Sequence, residues 1–111
     1  MIIKLVPQRR DDQLSVVKSG SILTVNGEVF DFGPVTVGAT LPEDAITSVW
    51  FAGDVENIDG ELTLTLLLPL PRNFSQEQAF PADLLNVPDG PVELPQPNPE
   101  AFNEQAAEEA V

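Results

Sequence analysis

"GDVENIDGELTLTLLLPLP", residues 53–71, contains the most apolar run of the chain, Glu61 to Pro71. That run admits three readings: a membrane segment, a sticky surface, or a strand of a core. Asp59-Gly60 decides among them. As the two-residue loop of a type I′ hairpin, it sets Ile58 opposite Glu61, Asn57 opposite Leu62, Val55 opposite Leu64, Gly53 opposite Leu66 and Phe51 opposite Leu68. Phe51, Val55, Leu62, Leu64, Leu66 and Leu68 then share one side. Glu56 with Thr63, and Asp54 with Thr65, share the other. A slip of one residue would bury the charges, so the pattern specifies the register. The longest uninterrupted apolar stretch also falls well short of the about 20 residues that a spanning helix needs.

The same reasoning extends toward the N-terminus. With Asn26-Gly27 as a second such loop, Val25 faces Glu28, Leu23 faces Phe30 and Ser21 faces Phe32. A turn at Ser19-Gly20 sets Val16 opposite Leu23 and Leu14 opposite Val25, so residues 14–32 read as a three-stranded antiparallel meander with one apolar face. Between the hairpins, Pro42-Glu43-Asp44-Ala45 reads as one helical turn, with proline at its start and acids in its first turn. Beyond Pro71 the signal weakens. Leu84–Val87 and Val92–Leu94 around Asp89-Gly90 read as edge strands at best, because prolines interrupt them. From Pro95 onward the chain is proline-spaced, then acidic and alanine-rich. There Asn98 can cap a short helix in which Phe102 and Ala106 share a face, and a mobile tail is expected. Gly27, Gly60 and Gly90 recur at similar spacings, but tight turns produce that likeness without a sequence repeat.

The expected fold is mainly β: a small antiparallel, hairpin-rich sandwich or partly open barrel. It has at most a short helical turn near residues 42–46. Residues 1–95 form a single domain with its core in 14–71, and residues 96–111 form the tail. Eleven prolines and seven glycines favour such short strands over long helices.

Composition narrows the function classes. The chain has 18 acidic and 5 basic residues among 111 and no cysteine, histidine or tyrosine. Thiolate metal sites, disulfides and the commonest general base are therefore absent. Four of the five bases, Lys4, Arg9, Arg10 and Lys18, precede Ser19; only Arg72 follows, and of the acids only Asp11 and Asp12 precede it. A weakly basic head on a strongly acidic body argues against direct nucleic-acid binding, which requires a basic surface. "MIIKLVPQRRDDQ" has its apolar stretch broken by Lys4 and lacks a small-residue cleavage site. No secretory signal is expected, and a cytoplasmic chain follows.

No catalytic, cofactor or metal site is expected. The serines have no histidine partner, and no flanking pattern supports a Ser-Lys pair with Lys4 or Lys18. Asp54, Glu56, Asp59 and Glu61 gather near one hairpin tip and suggest a Ca²⁺ site. They lack a twelve-residue loop ending in a bidentate glutamate, however, and a solvated hairpin face accounts for them. Trp50 and Leu67 remain. In the hairpin register they lie opposite the core face, beside Ala52, and form the candidate partner-binding site. The alternative is that the 33–48 connection or the C-terminal strands cover them.

Through "LTVNGEVFDFGP", "GATLPEDAI" and "IDGELTLTLLLP", with "FPADLLNVPDGPVELP" as a weaker continuation, the chain resembles small proteins encoded in tail-gene clusters of tailed phages and prophages of Gram-negative bacteria. The resemblance implies a non-enzymatic, virion-associated structural or assembly protein whose partners are other tail proteins, and it carries no catalytic or binding residues. The alternative expectation is an acidic regulatory decoy that occupies a basic site on a host nucleic-acid-binding protein.

Overall fold

The leucine run lies in the middle of a sheet. Strand β7 (Glu61–Leu70) buries Leu62, Leu64, Leu66 and Leu68, while Thr63, Thr65 and Leu67 stay partly exposed between them. The computed structural model describes residues 1–98. Its other strands are β1 (Ile2–Arg9), β2 (Val16–Ser19), β3 (Ile22–Val25), β4 (Glu28–Asp31), β5 (Thr40–Leu41), β6 (Val55–Ile58) and β8 (Gly90–Pro91). They form two four-stranded sheets, β1-β7-β6-β5 and β4-β3-β2-β8. The mainly β sandwich expected from the sequence is what the chain adopts. The two inner faces share one core, in which Phe51 of the first sheet meets Phe30 and Phe32 of the second edge-on, with centroids 5.0 and 5.8 Å away.

Both loops read from the sequence close hairpins in the expected register next to the turn. Asn26 and Asp59 adopt positive φ of 50° and 53°, followed by Gly27 and Gly60 at 84° and 89°, as a type I′ loop requires. Farther from these turns, two registers differ from expectation, each by two residues, so every side chain keeps its face. Val16 pairs with Val25 rather than Leu23, because the turn is Gly20-Ser21 rather than Ser19-Gly20. Gly20 carries φ of +61° and Ser21 does not, which is the arrangement of a type II′ loop with glycine first. In the second hairpin, Phe51 pairs with Leu66 rather than Leu68, and Gly53 opposes no leucine. Gly53 and Asp54 bulge out of the ladder. The bulge has a structural use: the Asp54 carboxylate accepts the Glu43 N–H at 2.8 Å, capping the 3₁₀ turn Glu43–Ala45 that the sequence indicated.

Strand β1 was not expected. It pairs in parallel with β7, Ile3 opposite Leu64 and Leu5 opposite Leu66, and so extends the core beyond 14–71 into the N-terminal segment. Two prolines fit this ladder because of where their nitrogens point. Ile3 exchanges both backbone bonds with Leu84 on the outer side, at 3.0 and 2.8 Å, so the odd residues of β1 turn away from β7 and Pro7 costs no ladder bond. Leu67 N–H donates to the Trp50 carbonyl at 2.8 Å, so the odd residues of β7 face the 50–58 strand. That strand ends at Trp50, and Pro69 again has no bond to lose.

The segment expected to hold two edge strands instead joins the open edges of both sheets. Leu84 bridges Ile3 of β1, Gly90–Pro91 pairs with β2, and Val92 N–H donates to the Val16 carbonyl at 2.8 Å. Val87 lies buried between these attachments. Lys18 lies opposite Leu23, and its ammonium reaches past the sheet to Asp89 at 2.7 Å; the same carboxylate oxygen accepts the Gly20 N–H at 3.0 Å. A second helical piece, α1 (Gln76–Ala79), was also not expected. It carries a capping box in which the Ser75 hydroxyl accepts the Gln78 N–H and the Gln78 side chain accepts the Ser75 N–H. The Ser75 hydroxyl also donates to the Gln96 carbonyl at 2.6 Å, and Asn73 and Asn98 exchange bonds, so residues 96–98 are held to the domain. The tail helix drawn through Phe102 and Ala106 lies outside the described residues.

The Asp89 contact gives a pH dependence. The hydrogen bond from Lys18, then that from Gly20, then the attraction of the Lys18 charge hold the Asp89 carboxyl below its ordinary value of 3.8. Its stabilising contribution is therefore complete above that value and disappears as pH falls through the lower folded-state pKa. In urea unfolding, Asp89→Asn is expected to lower the midpoint at neutral pH and to match the parent protein at the acid end. An equal deficit at both pH values would contradict the contact.

Candidate interaction surface

The outer face of the first sheet is built in rows that cross its strands. The register places Ile2, Thr63, Glu56 and Thr40 in one row, and Lys4 beside Thr65 in the next. Val6 lies beside Leu67 in a third, where the Leu67 N–H binds the Trp50 carbonyl. The first two rows are polar or mixed, and the third is apolar throughout. The structure thus brings Trp50 and Leu67 together on the outer face, as the hairpin pattern required.

Neither residue is fully exposed. Trp50 packs against the rim of the core, and Leu67 is partly covered. β1 and the residue that follows it contribute to their cover: Val6, 42% exposed, flanks Leu67, and the Arg10 guanidinium carbon sits 4.8 Å from the centre of the Trp50 ring, while the Trp50 N–H donates to the Ser48 hydroxyl at the end of the 33–48 connection at 3.1 Å. Arg10 is oriented by Asp12, which accepts from Nε at 2.9 Å and from the terminal nitrogen at 2.7 Å. The hydrogen bond from Arg10 is the main reason the Asp12 carboxyl lies below its ordinary range. Val49, next to Trp50 in the chain, is 69% exposed. The surface is therefore a row of apolar side chains ending in a tryptophan under an arginine, a composition typical of protein contact sites. Val6 and Arg10 were missed in the sequence because nothing local indicates that β1 pairs with β7.

The acidic cluster near the second hairpin tip does not assemble. Asp54 caps the 3₁₀ turn, Glu61 takes the Met1 ammonium, and Glu56 lies on the outer face between Thr63 and Thr40. Among the described residues, no group of three or more acidic side chains is placed to hold a metal ion. A cleft of about 400 Å³ lies between the 11–14 loop and the proline-rich 69–73 and 94–97 segments. Asp11 and Asp12 on its wall are paired with Arg9 and Arg10 at 2.8 and 2.7 Å, and Gln78 reaches it from α1. No nucleophile with an adjacent base lines it. No helix among the described residues is long and apolar enough to cross a membrane.

Comparison with protein-family models, curated proteins and solved structures finds no match to this chain.

Trp50 is the only tryptophan, so its fluorescence reports on this surface alone. Arg10→Ala is expected to shift its emission to longer wavelength and increase quenching by acrylamide, at a stability cost of about 0.5–1 kcal/mol. Unchanged emission and quenching would show that Arg10 does not cover the ring.

Proposed function

We propose that this chain is a non-enzymatic structural or assembly module of a phage-like tail, which binds a neighbouring tail protein through the outer face of its first sheet at Val6, Trp50 and Leu67. The apolar row capped by Arg10 is the observation that carries the reading. An arginine stacked on tryptophan beside exposed valines supplies the anchors that protein contacts use, with a polar rim of Lys4, Thr65 and Gln8 around them. The tail context is supported by the sequence resemblance. The absence of histidine, cysteine and tyrosine, together with a cleft whose aspartates are taken up by arginines, supports a non-enzymatic role.

A second reading, the acidic decoy, draws support from the charge layout. Between Ser19 and Pro71 the chain has no lysine or arginine, while Glu28, Asp31, Glu43, Asp44, Asp54, Glu56 and Asp59 decorate β4, the 3₁₀ turn and the β6 hairpin. Such single-sign surface attracts basic partners.

One set of variants separates the two. Val6→Glu with Val49→Glu changes only exposed positions and leaves the urea midpoint in place. A tail module carrying these changes is expected to lose capture of its partner from the proteins of one tail-gene cluster, weakened by about tenfold or more, while Asp31→Lys with Glu56→Lys has little effect. A decoy reverses that outcome and competes with DNA for its target. Full-strength capture by the valine double variant would remove the proposed surface.

A further inference from the structure

The second sheet ends in a strand whose outer edge is open. β4 is its last strand, and the Phe32 N–H donates to the Ser21 carbonyl at 3.0 Å, which marks those two residues as a bonded pair. Along an antiparallel ladder bonded pairs alternate, so Leu23/Phe30 and Val25/Glu28 are bonded as well. Val29 and Asp31 therefore turn their N–H and C=O groups away from β3, along the free edge. Both are exposed, Val29 at 65%. The other edges differ. Leu84 covers β1, β8 covers β2, and β5 is only two residues long. Among the described strands, β4 is the free edge with enough length to accept another chain.

Its charges decide which chain. Neither Glu28 nor Asp31 has an ion-pair partner among the described residues. A second copy of β4 paired antiparallel here, Val29 against Val29 or against Asp31, would bring the same two acids to the edge, with no lysine or arginine between Ser19 and Pro71 to offset them. A basic strand meets the opposite condition. A strand added here continues both faces of the sheet: one residue lies beside exposed Val29 on the outer face, and the next beside half-buried Phe30, at the rim of the core.

We propose that β4 is a strand-accepting edge whose occupant is an extended segment of another protein with the order basic, apolar, apolar, basic. The basic residues lie beside Glu28 and Asp31, and the apolar pair beside Val29 and Phe30. Because that order reads the same in both directions, it fits a parallel or an antiparallel strand. The edge belongs to the second sheet and does not depend on the Val6, Trp50 and Leu67 surface.

The test uses the full chain and two capped ten-residue peptides, one centred on Lys-Val-Val-Lys and the other on Glu-Val-Val-Glu. The lysine peptide is expected to slow amide exchange at Val29 and Asp31 while leaving Glu28 and Phe30 unchanged. It should bind about tenfold or more tightly than the glutamate peptide and weaken as salt rises from about 0.05 to about 0.5 M. Val29→Pro removes an outward N–H without breaking a ladder bond, and should abolish the protection. Glu28→Lys with Asp31→Lys, both on exposed positions, should reverse the preference toward the glutamate peptide. Equal binding of the two peptides, unchanged exchange at Val29 and Asp31, or a dimer held through β4 without peptide would overturn the proposal. None of these outcomes bears on capture through Trp50, so the two surfaces stand or fall separately.

Discussion

Strand β7 has to satisfy its backbone on both sides while burying four leucines on one face, and the rest of the fold follows from how that is done. Its even-numbered residues turn their backbone groups toward β1, where the Arg10 N–H reaches the Leu70 carbonyl at 3.1 Å. Its odd-numbered residues turn toward the 50–58 strand, through the bonds of Ala52 and Leu67. Without β1, one whole side of β7 would present unpaired groups next to fully buried Leu64 and Leu66, at a cost of about 1–3 kcal/mol for each buried group left unsatisfied. The parallel pairing thus completes the central strand. It also moves the basic head of the chain across the first sheet, which brings Val6 beside Leu67 and Arg10 onto Trp50.

Closing β7 in this way makes β1 an edge, and the 84–92 segment covers it. One bridge at Leu84, a two-residue pairing at Gly90–Pro91 and the Lys18 to Asp89 contact are individually small. Together they tie both sheets along one side of the sandwich, while the side with β4 and β5 remains open. Charge follows the same division. The side chains of Arg9, Arg10 and Lys18 are paired with acids on the tied side, whereas Glu28 and Asp31 on the open side have no such partners among the described residues. The open side is both the unpaired and the uncompensated one, which is why a basic strand suits it better than a second copy.

The parts legible in the sequence are those joined by short turns. Asn26-Gly27 and Asp59-Gly60 specify their loop type, and the leucine and threonine alternation fixes the faces, so the meander, the second hairpin and the outward placement of Trp50 and Leu67 could be read directly. Two details had signals that were open to misreading: glycine first in Gly20-Ser21 marks a type II′ loop, and a lone Gly53 inside a strand marks a bulge. Ser75 followed by Gln78 was a capping box in plain view. Pairing of β1 with β7 had no comparable signal. Parallel strands about sixty residues apart share no turn, and Val6 and Pro7 obscure the alternation of Ile3 and Leu5. Half of the candidate surface, Val6 and Arg10, depends on that pairing and was hidden with it.

Amide hydrogen exchange resolved by residue measures the β1 to β7 pairing most directly. The backbone groups of Lys4, Val6 and Gln8 face β7, so their exchange is expected to be as slow as that of Leu64 and Leu66 and to require global unfolding. Rapid exchange at Lys4, Val6, Gln8, Leu64 and Leu66 alongside protected residues 23–25, Thr63 and Leu67 would mean that the N-terminal strand is not part of the core and that the surface built on it does not exist.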